Sequence, residues 1–319
     1  MLVSDRDKLE DKALIPLDNI FHNGKGTLVQ ASVTSVEKEK TGGFVVLDNG
    51  EKLPFYVLVV ATGSKWSGPV DFPSKPEDVT KWISEQRKKF KDAKNIVIAG
   101  GGSVGLELSG EIKDIWPEKS VTIVHSQKKL LNSVYPDKFR DRAAQAYRPR
   151  TKLVLDDQIP GELTPGATSV TTRNGKTITA DLIVPAWGNK PNTALLSSLK
   201  DVLSPNGCVK IRDTFQTQAY PDIFALGDII DVNEQKQAGK AQAHAGMVAA
   251  NVLSYVQGQP LKQKYKGSYE LIVITNGKND GVGYFGVWWG IVIGGWLASL
   301  LKAKDLMLPA TRVATGASK

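Results

Sequence analysis

The chain has 319 residues, 41% hydrophobic, 8% aromatic and 23% charged, with a formal net charge of +8. That balance suits a soluble globular protein long enough for two packed cores. A single cysteine, Cys208, excludes an intrachain disulfide and a CxxC redox pair, and His22, His125 and His244 lie far apart without ligand spacing, which argues against a metal site. Basic residues interleaved with acids, as in EQRKKFKDAK at 85–94, read as a solvated helix face more readily than as a nucleic-acid patch. The positive charge keeps a nucleic-acid-binding effector as a rival, and it favours anionic membranes or phosphate-bearing ligands. The start, MLVSDRDKLEDKALIPLD, has no apolar core of a secretory signal and too many acids for a transit peptide, so a cytoplasmic protein is expected.

In chain order, residues 27–60 alternate as an antiparallel meander, with turns at TGG (41–43) and Asp48–Asn49–Gly50. The apolar run YVLVVATGS (56–64) reads as a strand buried on both faces, as in a parallel sheet. A Pro-rich connection at 66–79 leads to helical spacing through Val79–Phe90, and a domain boundary is expected at 90–95. Then come a strand at 95–99, a glycine turn, a helix at 103–115, the strand SVTIVHS (120–126), a helix near 136–147 and the strand TKLVLDD (151–157). A hairpin turning at Asn174–Gly175 follows, and LIVPAWGNKPNT (182–193) closes the unit. This is one βαβαβ half with a meander, the plan of a dinucleotide-binding domain. A return segment, VKIRDTFQTQAYPDIFALGD, and a small-residue helix at 241–258 complete the reading.

Gly100–Gly101–Gly102–Ser103–Val104–Gly105 fits G-x-G-x-x-G between an apolar strand and a helix. There Gly100 permits a tight turn, Gly102 lets a pyrophosphate approach the backbone, and Gly105 lets helix and strand pack closely; the helix N-terminus then faces the phosphates. The strand after it ends in His125–Ser126–Gln127–Lys128–Lys129 with no carboxylate for a ribose 2′-hydroxyl. Its two lysines suit a 2′-phosphate or are simply a solvated basic turn, so both NADH and NADPH stay open. Glu107, in the first helical turn, suits either the helix dipole or the cofactor cleft. Asp228, after Ala225–Leu226–Gly227, suits either an N-cap or a ligand hydroxyl; with ATGS and the glycine motif beside it, the ligand reading gains.

These segments (LPFYVLVVATGS, IVIAGGGSVGLELSGEI, VTIVHS, ADLIVPAWGNKPNT, IFALGD and NGKNDGVGYFG) resemble the two-dinucleotide flavoprotein family of pyridine-nucleotide oxidoreductases. More closely they are similar to its apoptosis-inducing-factor-like, ferroptosis-suppressor-type NAD(P)H:quinone oxidoreductases. The resemblance implies an α/β, Rossmann-like flavoprotein fold. It assigns residues 1–90 and 198–235 to an FAD domain, 91–197 to an NAD(P) domain and 236–319 to a C-terminal extension. It implies that Gly100, Gly102, Ser103 and Gly105 hold NAD(P)H, with His125 and Gly188 among the cofactor contacts and Glu107 lining the nicotinamide–flavin cleft. Asp228 and Gly227 would hold the FAD ribityl chain and diphosphate, Val33 would touch adenine, and Thr62 and Gly63 would lie at the FAD-domain crossover. Lys302 matches a lysine of the family's C-terminal segment, and with Glu107 it is a catalytic candidate. The expected reaction passes hydride from NAD(P)H through flavin to a quinone-type acceptor. No first G-x-G-x-x-G precedes residue 95, so the FAD domain is expected to be truncated, and a chain that binds NAD(P)H without turnover is the alternative.

Tyr284–Leu301 (YFGVWWGIVIGGWLASLL) carries no charge, three tryptophans and four glycines. It suits docking at the surface of a mitochondrial or other intracellular membrane, ahead of core packing as a helix pair or a true span.

Overall fold

The computed structural model describes residues 1–5, 8–21, 24–160, 164, 166–295, 297 and 308–317. After a single helical turn, α1 (Glu10–Ala13), come β1 (Val33–Lys38), β2 (Gly43–Leu47), β3 (Lys52–Phe55), β4 (Leu58–Val60) and β5 (Ser64–Lys65). Next are α2 (Pro76–Asp92), β6 (Asn95–Ala99), α3 (Ser103–Ile115), β7 (Ser120–His125), α4 (Asp137–Tyr147) and β8 (Lys152–Leu155). The strands β9 (Ser169–Thr171), β10 (Thr177–Thr179), β11 (Leu182–Pro185), β12 (Lys190–Pro191) and β13 (Ile223–Ala225) precede α5 (Ala238–Val256). Finally come β14 (Leu271–Thr275), β15 (Gly281–Phe285), β16 (Ile291–Gly294) and α6 (Leu308–Ala314). Contacts divide the chain into two compact units, one of Met1–Thr27, Trp66–Gly188 and Tyr269–Lys319, the other of Leu28–Lys65 and Asn189–Ser268.

The first unit is built on a parallel sheet in the order β11-β6-β7-β8. Its central strand, NIVIA, is apolar on both sides because both faces are covered. Ile96, Ile98 and Ile123 pack with Leu106 and Ile112 of α3 and with Phe139 and Ala143 of α4. Val97, Ala99 and Val124 pack on the other face with Ile178 of β10. Each such side chain contributes about 1.5–3 kcal/mol by leaving water. Asp181 registers β11 against β6: its Oδ2 accepts the N–H groups of Lys94 (2.9 Å) and Asn95 (2.8 Å), and these backbone bonds hold its carboxyl below the usual range.

The same unit takes in the C-terminal meander β14-β15-β16. Ile274 and Val282 join the core of α3 and α4, the Tyr147 hydroxyl donates to the Thr275 carbonyl at 2.7 Å, and the Asn276 side-chain amide donates to the Ala146 carbonyl at 3.0 Å. Gly110 of α3 makes room for this meander, since a Cβ there would lie 2.5 Å from the Gly277 nitrogen. Residues 284–294, where the sequence left a helix pair or a span open, are strand, turn and strand, and residues 296 and 298–301 of that segment lie outside the described residues. Three consecutive β-branched residues, Ile291–Val292–Ile293, favour a strand, and Gly286 and Gly290 disfavour a helix. Among the described residues no helix is long and apolar enough to cross a membrane.

The second unit holds the expected antiparallel meander, β1-β2-β3, and a parallel pair of β4 with β13. The TGG turn needs its glycine: Gly42 has φ +69°, and a Cβ would collide with the Phe55 carbonyl. Gly42 N–H also donates to the buried Asp222 Oδ2 at 2.8 Å, where the half-buried Lys38 ammonium sits 2.9 Å away. Val36, Val60, Phe215, Phe224 and Val248 form one core with the rest of this unit. Within the apolar run at 56–64, β4 covers Leu58–Val60 and pairs with β13 as its one neighbour among the described residues, and Tyr56 and Val59 stay exposed. The mixed α/β architecture with parallel strands is the expected one.

Candidate functional site

In the first unit the glycines of the motif occupy three different environments. Gly100 has φ +133°, and a Cβ there would strike the Ala186 carbonyl, so only glycine makes the turn out of β6. A Cβ on Gly105 would strike the Gly100 carbonyl and press Ile98 Cγ2 at 3.1 Å, so α3 is held hard against the strand end. Nothing lies within 4 Å of the Cβ position of Gly102. That open space lies at the N-cap of α3, which begins at Ser103. The first amides of a helix have no partner within it, and the dipole there favours anions. A tight turn, a close helix and an open cap form a cradle that fits a dinucleotide pyrophosphate.

His125, at the end of β7, is turned onto this loop. Its Nδ1 accepts the Gly101 N–H at 3.1 Å, and its Nε2 donates to the Leu131 carbonyl at 3.2 Å. Leu131 N–H returns a bond to the Gly101 carbonyl at 2.9 Å. Leu131 sits at φ +62°, a strained setting for a buried leucine, and Arg140 fixes the segment by donating to the carbonyls of Lys129 (3.0 Å) and Leu130 (2.9 Å). Burial pushes the His125 pKa below its ordinary 6.5, although the Leu131 carbonyl opposes this. The unfolded chain therefore binds the proton more readily, so the latch's stability is complete above pH 6.5 and declines as pH falls below it. Urea unfolding at about pH 7.5 and about pH 5.5 is expected to show that loss. It should shrink in His125→Asn, whose side-chain oxygen replaces Nδ1 but does not titrate in this window.

Glu107, half-buried on α3, accepts the Thr275 N–H (3.1 Å) and hydroxyl (3.3 Å) through Oε1. It thus ties the motif's helix to β14. Of the two lysines after β7, Lys129 is paired with Asp137 (3.1 Å) and Asp141 (2.8 Å), while Lys128 is exposed. Gly188, at φ +94°, has open space about its Cβ position.

The second unit gathers ATGS, NKPN (189–192) and ALGD. The Ser64 hydroxyl donates to Asp228 Oδ2 at 2.6 Å and accepts from the Asn189 amide. Thr62 donates to the Asn192 carbonyl at 2.6 Å, Asn192 N–H donates to the Gly63 carbonyl at 2.9 Å, and β5 pairs with β12 alongside. Gly63 and Gly227, at φ +63° and +75°, bend the two turns. Asp228 follows the end of β13 in a short 3-10 turn. It thereby keeps carboxylate capacity for a ligand hydroxyl, which fits a polyol chain. Val33 opens β1 of the meander, opposite Leu47. Ser64 and Asn189 were quoted in the motifs but not singled out; their signal is a polar side chain directly after each motif's glycine. Lys302 and His22 lie outside the described residues. Among those described, no three His, Cys, Asp or Glu cluster as metal ligands.

Residues 8–246 match the family model "Pyridine nucleotide-disulphide oxidoreductase". "Ferroptosis suppressor protein 1" of Mus musculus is 31% identical over 278 residues, covering 83% of this chain and 72% of that protein. "Apoptosis-inducing factor homolog B" of Dictyostelium discoideum is 30% identical over 331 residues, covering 94% and 83%. Among solved structures, an NAD-dependent persulfide reductase from A. fulgidus aligns with a TM-score of 0.65 at 17% identity, over 82% of this chain and 50% of that one. An engineered water-forming NADPH oxidase bound to NADPH aligns at 0.61 and 23%, over 80% and 58%. The chain thus spans between half and two thirds of the length of these solved chains, and their likeness concerns the fold.

Proposed function

Because the chain belongs to the pyridine nucleotide-disulphide oxidoreductase family, whose members use FAD and NAD(P)H, we propose that it oxidises NAD(P)H and passes the electrons through FAD to a quinone-type acceptor. The observation that carries this reading is the cradle at Gly100–Gly105, with its open cap at Gly102. The α3 amides bind the pyrophosphate, and the His125 latch keeps the loop in the shape that exposes them. Asp228, oriented by Ser64 and Asn189, takes a hydroxyl of the flavin's ribityl chain. Glu107 and Lys302 are assigned to the reacting end, Glu107 through its place on α3. FAD, when bound, supplies two-electron acceptance from a nicotinamide and delivery to the second substrate.

A quinone-type acceptor is favoured because Cys208 is the chain's single thiol, so no dithiol is present for disulfide chemistry. A second support is the β15–β16 turn, where Trp288 and Trp289 are 82% and 84% exposed and lie 5.7 Å apart. Paired indoles at a hairpin tip suit the headgroup layer of a membrane. Purified protein supplied with FAD is expected to be yellow and to consume NAD(P)H with a soluble quinone. Trp288→Ser with Trp289→Ser should keep that turnover while losing sedimentation with anionic vesicles and turnover of quinone dissolved in them. Colourless protein that binds NADH without consuming it overturns the catalytic reading, and unchanged vesicle binding by the double variant overturns the docking tip.

A further inference from the structure

Behind the Gly227–Asp228 turn lies a buried cluster that the assignments above do not use. His244 of α5 is 1% exposed, and its Nδ1 accepts the Gly227 N–H at 3.3 Å. Its Nε2 lies 3.4 Å from Glu234 Oε1 without the alignment of a hydrogen bond. Glu234, equally sheltered, accepts the Tyr265 and Ser268 hydroxyls through Oε2, with the Lys240 ammonium 3.6 Å away. The rings of Phe215 and Tyr265 pack on the imidazole at 5.0 and 4.5 Å between centroids. So many polar groups under so little solvent are tolerated only when the arrangement is kept as a unit.

We propose that His244 is a positioning residue for the flavin, holding the Gly227 amide through Nδ1 and so fixing the turn that presents Asp228. This rests on the reading that Asp228 receives the flavin's ribityl chain. The arrangement repeats that of the nicotinamide turn, where His125 Nδ1 holds the Gly101 amide. In both turns the backbone N–H nearest the bend is taken by an imidazole from the same unit. The turn therefore keeps one shape before a ligand arrives, and no ordering has to accompany binding. A ring that accepts at Nδ1 must be unprotonated there, with its proton on Nε2 toward Glu234.

The groups facing this ring are Glu234, Lys236, Lys240 and Tyr265, together with the Gly227 amide. Burial keeps His244 below its ordinary pKa, Glu234 opposes that, and the two lysines reinforce it. Acidification below pH 6.5 therefore works against the Gly227 bond.

The test compares the full chain with His244→Asn, which keeps an acceptor near the Nδ1 position, and His244→Leu, which does not. FAD affinity is read by quenching of flavin fluorescence, and Gly227 amide protection by hydrogen exchange in the FAD-free protein. Expected is at least tenfold weaker FAD binding and lost Gly227 protection in His244→Leu, with His244→Asn within about threefold of the parent. Wild-type FAD affinity should also fall on acidification more than that of His244→Asn, a comparison that serves if His244→Leu does not fold. Equal FAD affinity and equal Gly227 protection in parent and His244→Leu overturn the proposal, as does an equal acid response in parent and His244→Asn. A parent that takes up no FAD while its Gly227 protection depends on His244 overturns the flavin reading alone.

Discussion

Gly105→Ala is expected to destabilise the first unit by about 3 kcal/mol and to abolish NADH binding, because its methyl group would drive into the Gly100 carbonyl. A backbone carbonyl cannot swing aside as a side-chain tip can, so α3 must leave the end of β6 and the open cap is lost with it. Gly102→Ala gives the contrast. Its φ of −78° suits any residue, and its Cβ would meet no protein atom, so urea unfolding should change by less than about 0.5 kcal/mol. The methyl group nevertheless fills the space offered to the pyrophosphate, and NADH affinity should fall about tenfold, roughly 1.4 kcal/mol. Fluorescence titration with NADH beside urea unfolding separates the two. Equal stability losses in both variants, or undiminished NADH binding by Gly102→Ala, would remove the cradle from the argument.

The second large effect concerns flavin. Asp228→Ala should raise the FAD dissociation constant about 100-fold, near 2.7 kcal/mol, the scale of hydrogen bonds to a charged acceptor. It also leaves the Ser64 hydroxyl without the acceptor it now has at 2.6 Å. NADH binding should be unaffected, since every group of its cradle belongs to the other unit. Flavin content by absorbance after gel filtration, with an NADH titration on the same sample, measures both. A variant as yellow as the parent would refute the placement of flavin at this turn.

Much of the first unit was legible because its signals are local. The apolar strands 95–99 and 120–126, the glycine turn between strand and helix, and the Asn174–Gly175 hairpin each follow from periodicity or turn chemistry within a few residues. The pairing of β4 with β13 was not legible, since it joins residues near 59 to residues near 224, and no local pattern encodes a parallel partner that distant. The C-terminal strands were obscured for another reason. Their composition, apolar with glycine and tryptophan, suits a lipid interface as well as a meander, and residues far upstream, such as Glu107, Gly110 and Tyr147, decide for packing on α3 and α4. Within the site, the glycines and Asp228 stood out by type and His125 entered as a cofactor contact through the resemblance, but the latch roles of His125 and His244 did not stand out. A ring nitrogen accepting a backbone amide 17 or 24 residues away leaves no mark in spacing.

The order in which the units are encoded bears on how the protein is made. The last residue of the second unit is Ser268, whereas the first unit still lacks at that point the strands β14 to β16 that join the core of Ile112, Phe139 and Tyr147. During synthesis the side of that core that Ile274 and Val282 cover stays open until they emerge, although α3 and α4 were made long before. A nascent chain therefore carries apolar surface on the first unit until its last strands are added, and that interval is when a chaperone has most to shield.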